Sequence, residues 1–271
     1  MGESSFSGQR VLITGASSGI GAGLAERFAR EGAIVGICAR REDRLQEVLD
    51  RCRAHSPESR MWVCDLAVAD EVDRLAEASV AEMGGVDVLL NNAGVPKRRD
   101  VSLLDPETVD ALTNINYLSP VRLTLRLLSH MLERDSGTIV NVSSVAAVLS
   151  SPGEAAYDAS KAALSVFSEG MAVDLWDTGV NVLTVYPGVV DTELFDIPGN
   201  DPLSPEIERI SVAELVDGVM DALSRGVIEA YIPAWFKDVA ARKANDVEQF
   251  LAGTAGWVRG QKTAGGADGQ A

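Results

Sequence analysis

Seven short apolar, β-rich runs alternate along the chain with segments of helical periodicity, and this alternation is the strongest constraint on its fold. The runs are VLIT (11–14), AIVGICA (33–39), MWVC (61–64), VDVLLNN (86–92), TIVNVS (138–143), NVLTVY (181–186) and EAYIP (229–233). Helix patterns lie at 20–31, 42–55, 69–83, 106–133, 154–177 and 211–225, with Pro120 expected to bend or restart the fourth. Such a chain builds a parallel sheet covered on both faces by helices, its central strands apolar on both sides. Because strand–helix–strand crossovers are right-handed, the expected α/β topology is doubly wound. No internal repeat or linker divides it, so a single domain is expected over residues 1–258. Within it, residues 191–211 carry Pro198, Gly199, Pro202 and Pro205 among Leu194, Phe195, Ile197, Leu203, Ile207 and Ile210, which suggests an irregular apolar flap. The polar, glycine-rich residues 259–271 are expected to form a mobile tail.

Charge and cysteine usage then remove whole classes of function. The formal net charge is −16, from 24 basic and 40 acidic side chains, which opposes binding to nucleic acid or to an anionic membrane. Cys38, Cys52 and Cys64 form no CxxC pair, and His55 and His130 are the only histidines, so neither a metal site nor a disulfide framework is expected. Cys38 and Cys64 fall in apolar runs where buried, inert thiols are usual, a pattern that fits a reducing cytoplasm. The N-terminal MGESSFSGQR shows no export signal, and nowhere do about 18 apolar residues run together.

A glycine-rich turn, TGASSGIG, follows the first run directly and opens the first helix pattern. Gly15, Gly19 and Gly21 stand where the backbone must turn tightly and approach a ligand, and a helix N-terminus offers unpaired amides to a phosphate. Ser17 and Ser18 add hydroxyls or a cap, and Ile20 lies between the last two glycines. About 20 residues past such a turn, a dinucleotide fold carries an acid for a ribose hydroxyl or an arginine for a 2′-phosphate. This chain has Arg40 and Arg41 there, with Arg40 nearer the strand end, so NADP(H) is expected over NAD(H). Pairing of both arginines with Glu42 or Asp43 is the competing reading.

Tyr157 and Lys161 stand four apart in YDASK, and Ser144 precedes the tyrosine by thirteen positions. A phenol has a free pKa of about 10 and passes protons near neutrality only if a fixed cation favours its phenolate. A lysine one helical turn away is placed to supply that charge. Hydride transfer to a ketone creates an alkoxide that needs a proton donor and a hydrogen-bond donor, the parts expected of Tyr157 and Ser144.

Taken as a set, the chain resembles the short-chain dehydrogenase/reductase family in its TGxxxGxG subgroup. The resemblance rests on TGASSGIG, NNAG at 91–94, Asn116 in NIN, Ser144 in NVSS, YDASK, and YPG at 186–188 followed by Thr192. It implies a Rossmann-type, seven-stranded parallel sheet in the order 3-2-1-4-5-6-7. It also implies that Asp65, followed by Leu66, bonds the adenine, that Asn92 lies beside the adenosine ribose, that Ala93 and Gly94 approach the cofactor closely, and that Thr192 bonds the carboxamide, with Pro187, Gly188 and Val190 beside it. Lys161 would also bind the nicotinamide ribose, and Asn116 would hold a water linking the lysine to solvent. Asn114 competes for that place, as Ser143 does with Ser144. A homodimer or homotetramer through the fourth and fifth helix patterns is implied as well.

The expected substrate is a small, mainly apolar ketone, aldehyde or alcohol, in a pocket lined by Val95, Val145, Val148, Leu149, Leu194 and Phe195. Lys97, Arg98 and Arg99 follow the fourth strand and could reach a polar group, although a solvated charge run is the commoner meaning of such a sequence. Two alternatives are a cofactor-sensing regulator without turnover and a nucleotide-sugar epimerase or dehydratase. The complete Asn, Ser, Tyr and Lys set opposes the first; the glycine spacing and the shorter C-terminal region oppose the second.

Overall fold

A computed structural model of the chain describes residues 6–196, 199–204 and 206–265. Ile197, Pro198 and Pro205 of the expected flap, residues 266–271 of the expected tail and the side chain of Phe195 lie outside the described residues.

The strands are β1 (Arg10–Thr14), β2 (Ile34–Ala39), β3 (Arg60–Val63), β4 (Val88–Asn91), β5 (Gly137–Val142), β6 (Val180–Pro187) and β7 (Glu229–Ile232). They form one parallel sheet in the order 3-2-1-4-5-6-7. The helices are α1 (Gly19–Arg30), α2 (Glu42–Arg53), α3 (Ala69–Met83), α4 (Pro106–Thr113), α5 (Ser119–Glu133), α6 (Ala146–Leu149), α7 (Ala155–Asp174), α8 (Val212–Arg225), α9 (Phe236–Asn245) and α10 (Val247–Gly265).

The period-two alternation of the strands divides the core into two layers. In β1, Val11 and Ile13 pack with Leu24 and Phe28 of α1 and Leu215 of α8, while Leu12 faces the opposite layer with Leu75 of α3 and Leu123 of α5. All of these side chains are almost wholly buried, and each contributes about 1.5–3 kcal/mol by leaving water. A buried polar chain runs through the same interior. Asn91 donates to Thr124 at 2.9 Å and to Asn141 at 2.8 Å, and Asn141 donates to Ser168 at 2.8 Å, tying β4 and β5 to α5 and α7.

Two departures from the sequence reading have local causes. The pattern over 106–133 is two α-helices joined by a π-helical turn, Asn114–Leu118, and Pro120 sits in the first turn of α5, where its missing N–H costs nothing. Two helices follow β7, and α10 continues through residue 265, into the segment expected to be a tail. Gly253, Gly256 and Gly260 weaken the helix signal of α10, because glycine is the poorest helix former after proline. The cysteines agree with the sequence reading: Cys38 and Cys64 are free and buried as expected, Cys52 likewise, and burial holds the Cys52 and Cys64 thiols up at about 12 and about 11.

Candidate active site

The strand order reverses between β1 and β4, and a crevice opens there at the carboxyl edge of the sheet. It is a cleft of about 1430 Å³, and every residue expected to hold the cofactor lines it. The glycine turn is locked to the end of β4 by chain packing. Gly15 has φ +68, and a Cβ there would lie 2.7 Å from Ala93 Cα; one on Gly21 would lie 2.5 Å from the Gly15 carbonyl. Thr14, buried beneath the turn, accepts from the backbone N–H groups of Asn92 and Ala93 at 3.0 Å each, and Asn92 Nδ2 returns a bond to the Thr14 carbonyl at 2.9 Å. The threonine opening the TGASSGIG motif therefore has a structural task that the sequence reading did not assign.

Across the cleft, Lys161 and Asn116 converge on the main chain of Gly94. A Cβ on that glycine would stand 3.2 Å from Lys161 Nζ and 3.3 Å from Asn116 Oδ1. Asn116 is fully buried on the π-helical turn; its Oδ1 accepts from Val95 N–H at 2.9 Å, and its Nδ2 donates to the Val95 carbonyl and to Ser160 at 3.0 Å. Asn114 instead points away and donates to the Ala67 carbonyl at 2.9 Å. A similar divergence separates the two serines. Both line the cleft, but the Ser143 hydroxyl is engaged by Ser165 at 2.8 Å, whereas Ser144 interacts with the Tyr157 phenol.

Lys161 is 3% exposed, with Nζ donating to the Val142 carbonyl at 2.9 Å and lying 5.9 Å from the Tyr157 ring centre. Burial alone lowers its pKa from 10.5 to about 8. The Tyr157 phenol is driven upward, not down, chiefly by burial and then by the nearby Glu154 carboxylate, with Ser144 acting against both. In this arrangement the tyrosine holds its proton at neutral pH.

The lysine shift has a thermodynamic consequence. Between about pH 8 and 10.5 the unfolded chain keeps the Lys161 proton that the folded chain has lost, so this group's contribution to stability rises with pH across that window. Below it, the charged ammonium costs folding a few kcal/mol, about 1.4 per pKa unit. Lys161→Met is therefore expected to gain most relative to the natural protein near pH 7, and the difference should shrink toward pH 10 in urea titrations. A gap independent of pH would remove the buried ammonium from the account.

Two charged groups behave differently from their sequence reading. Arg41 donates through Nη2 to Ser17 at 3.1 Å and Ser18 at 2.7 Å and pairs with Glu193 at 2.6 Å, rather than with Glu42 or Asp43. The Ser18 hydroxyl, turned to Glu193 at 2.7 Å, does not cap α1. Arg40 lines the same cleft. Arg98, expected in a solvated run, is buried: its Nε donates to Glu154 at 2.9 Å and its Nη1 to the Asp201 carbonyl at 3.0 Å. Of the expected substrate-pocket residues, Val95, Val145 and Leu194 line the cleft, and Val148 and Leu149 on α6 do not. Trp257 and Val258, which the sequence reading missed, close its far side from α10.

A doubly wound sheet with a glycine turn at its switch point defines the class of dinucleotide-binding folds. Residues 9–199 match the family model of the short chain dehydrogenases, and the chain belongs to this family of oxidoreductases. It is 37% identical over 190 residues to a short chain dehydrogenase of Pseudocercospora fijiensis, a match covering 69% of this chain and 61% of that protein. The chain thus spans about three fifths of that relative's length. It is 36% identical to an uncharacterized oxidoreductase of Myxococcus xanthus, over 90% of this chain and 94% of that protein. Among solved structures, a short-chain dehydrogenase from Sphingobium yanoikuyae in complex with NADPH superposes with a TM-score of 0.78 at 30% identity, covering 89% of this chain and 96% of that one. A short chain dehydrogenase/reductase from Burkholderia phymatum in complex with NAD, at 23% identity and a TM-score of 0.82 over 92% and 96% of the two chains, shares the fold. Among the described residues, no helix is long and apolar enough to cross a membrane.

Proposed function

We propose that this chain is an NADP(H)-dependent oxidoreductase that interconverts a mainly apolar ketone or aldehyde and the corresponding alcohol. The observation that carries this reading is that Ser144, Tyr157 and Lys161 line one cleft together with the glycine turn, with Asn116 buried behind Gly94 beside the lysine. NADP(H), when bound, supplies or accepts the hydride. Tyr157, with its proton held at neutral pH, donates to the carbonyl oxygen, and Ser144 holds that oxygen. Lys161 binds the ribose hydroxyls, lowers the cost of a phenolate and is held toward Gly94; Asn116 positions the lysine's surroundings through Val95 and Ser160. Asp65, Asn92 and Thr192 take the adenine, ribose and carboxamide contacts.

The choice of NADP(H) rests on the arginines at the end of β2, supported by the NADPH found in the Sphingobium relative. Apolar substrates are favoured by Val95, Ile115, Val145, Leu203, Ile207 and Trp257 in the cleft wall. A homodimer or homotetramer is supported by exposed apolar residues spaced seven apart, Leu118 at the end of the π-helical turn with Leu125 and Leu132 along α5, and Val166 and Val173 along α7. Three buried free thiols fit a cytoplasmic setting.

Incubating the protein with a carbonyl panel and following NADPH and NADH absorbance tests the reading as a whole. Arg40→Ala and Arg41→Ala are expected to weaken NADPH by about tenfold or more and NADH little, each removing a charge-assisted bond to the 2′-phosphate. Equal losses for both cofactors would reject the phosphate seat. Binding without turnover across the panel would reject the enzyme.

A further inference from the structure

The 2′-phosphate seat read above already holds a carboxylate of the protein's own. Glu193, on the short helical turn Glu193–Asp196 after β6, reaches back across the cleft mouth. Its Oε1 accepts from Ser18 Oγ at 2.7 Å and pairs with Arg41 Nη2 at 2.6 Å, while its Oε2 pairs with Arg44 Nη1 at 2.5 Å. These donors come from the glycine turn and from the start of α2, so two separate chain segments close on an anion supplied by a third. This is the donor set a phosphate monoester would seek: two guanidinium groups and a hydroxyl, beside the strand end where the adenosine ribose is expected. The same contacts hold the Glu193 carboxyl down at about 2, so it stays ionised throughout the physiological range.

We infer that Glu193 is a specificity-determining residue for the cofactor: its carboxylate occupies the seat of the 2′-phosphate, and NADP(H) binds by displacing it from Arg41 and Arg44. The inference rests on the reading of that seat as the NADP(H) phosphate site. NAD(H) has no group that competes with Glu193, so the cost of displacement falls on the phosphorylated cofactor alone. All three side chains are about half exposed, so the competing contacts are individually weak and replaceable. Arg44, one turn into α2, becomes part of the seat through this carboxylate.

The test is calorimetric titration of the full chain, its Glu193→Gln variant and its Arg44→Met variant with NADP⁺, NAD⁺, adenosine 2′,5′-bisphosphate and AMP. Glutamine keeps the size of the side chain, removes its charge and turns one of its two acceptors into a donor, so it can accept from only one of the two arginine sides. Glu193→Gln is expected to tighten NADP⁺ and the bisphosphate about fivefold and to leave NAD⁺ and AMP within about twofold. Arg44→Met is expected to weaken the two 2′-phosphorylated ligands selectively. If the natural chain prefers NADP⁺ and Glu193→Gln leaves that preference unchanged, or tightens all four ligands alike, the role of Glu193 is overturned and the seat survives. If the natural chain and both variants show no preference for a 2′-phosphate, the seat itself is rejected and the inference goes with it.

Discussion

Tyr157→Phe is expected to lower turnover by about 10²–10⁴, the range that a positioned general acid contributes, while NADPH affinity stays within about twofold. The asymmetry follows from what the substitution removes. The ring still fills the same half-buried place on α7, and Lys161 still donates to the Val142 carbonyl at 2.9 Å, so the cofactor wall is unchanged. Only the proton aimed at the substrate oxygen is lost. Because the phenol is held protonated by burial and by Glu154, the carbonyl-reducing direction should persist to higher pH than a free tyrosine would allow. Steady-state rates and a fluorescence titration of NADPH on the same preparation check both halves. Turnover within tenfold of the natural protein would take Tyr157 out of the chemistry.

Arg98→Met is expected to lower stability by about 3 kcal/mol, because it strips the partner from a carboxylate that is largely buried. The side chains of Arg98 and Glu154 are 9% and 14% exposed, and their charged atoms stand 2.8 Å apart. Burial raises the Glu154 pKa and Arg98 opposes that rise, so losing the arginine raises it further. The sign of the pH dependence follows. A carboxyl with a raised folded pKa binds protons more readily when folded, so its ionised form costs stability that is recovered as pH falls. The gap between natural protein and variant should therefore be widest near neutrality and narrow toward acid. Urea denaturation across pH 5–8 measures it. The double variant Arg98→Met, Glu154→Leu should recover much of the loss, since no buried charge is left unpaired. A single variant within about 1 kcal/mol of the natural protein, or a double variant no better than the single, would show that water already satisfies the glutamate.

The same pair shows how far local sequence could be read. Lys97, Arg98 and Arg99 are three consecutive cations, and nothing in those letters separates the solvated ones from the buried one. The distinction depends on Glu154, 56 positions away, and on the Asp201 carbonyl, 103 away. Arg41 is similar. Its neighbours Glu42 and Asp43 are the partners that helix spacing suggests, but the carboxylate that reaches it belongs to Glu193, beyond β6. Side-chain partners of this kind are decided by which segments the sheet brings to one edge.

What the sequence determined by itself was everything carried by periodicity and by short-range backbone need. Alternating apolar runs and helical patterns dictated a parallel sheet with two apolar layers, because buried area is gained only if each face is covered. The strand–turn–helix setting of Gly15, Gly19 and Gly21, and the four-residue step from Tyr157 to Lys161, are local too, since they follow from steric limits on φ and from the helical repeat. Tertiary structure alone decided the rest. It brought Asn116 to Val95 and Asn114 to Ala67 through a π-helical turn, set Ser144 and not Ser143 against the Tyr157 phenol, lifted the Tyr157 pKa by burial, and placed Glu193 on Arg41 and Arg44. Each of these depends on desolvation or on contacts between residues far apart in the chain, and such energies come into being only when the layers close over one another.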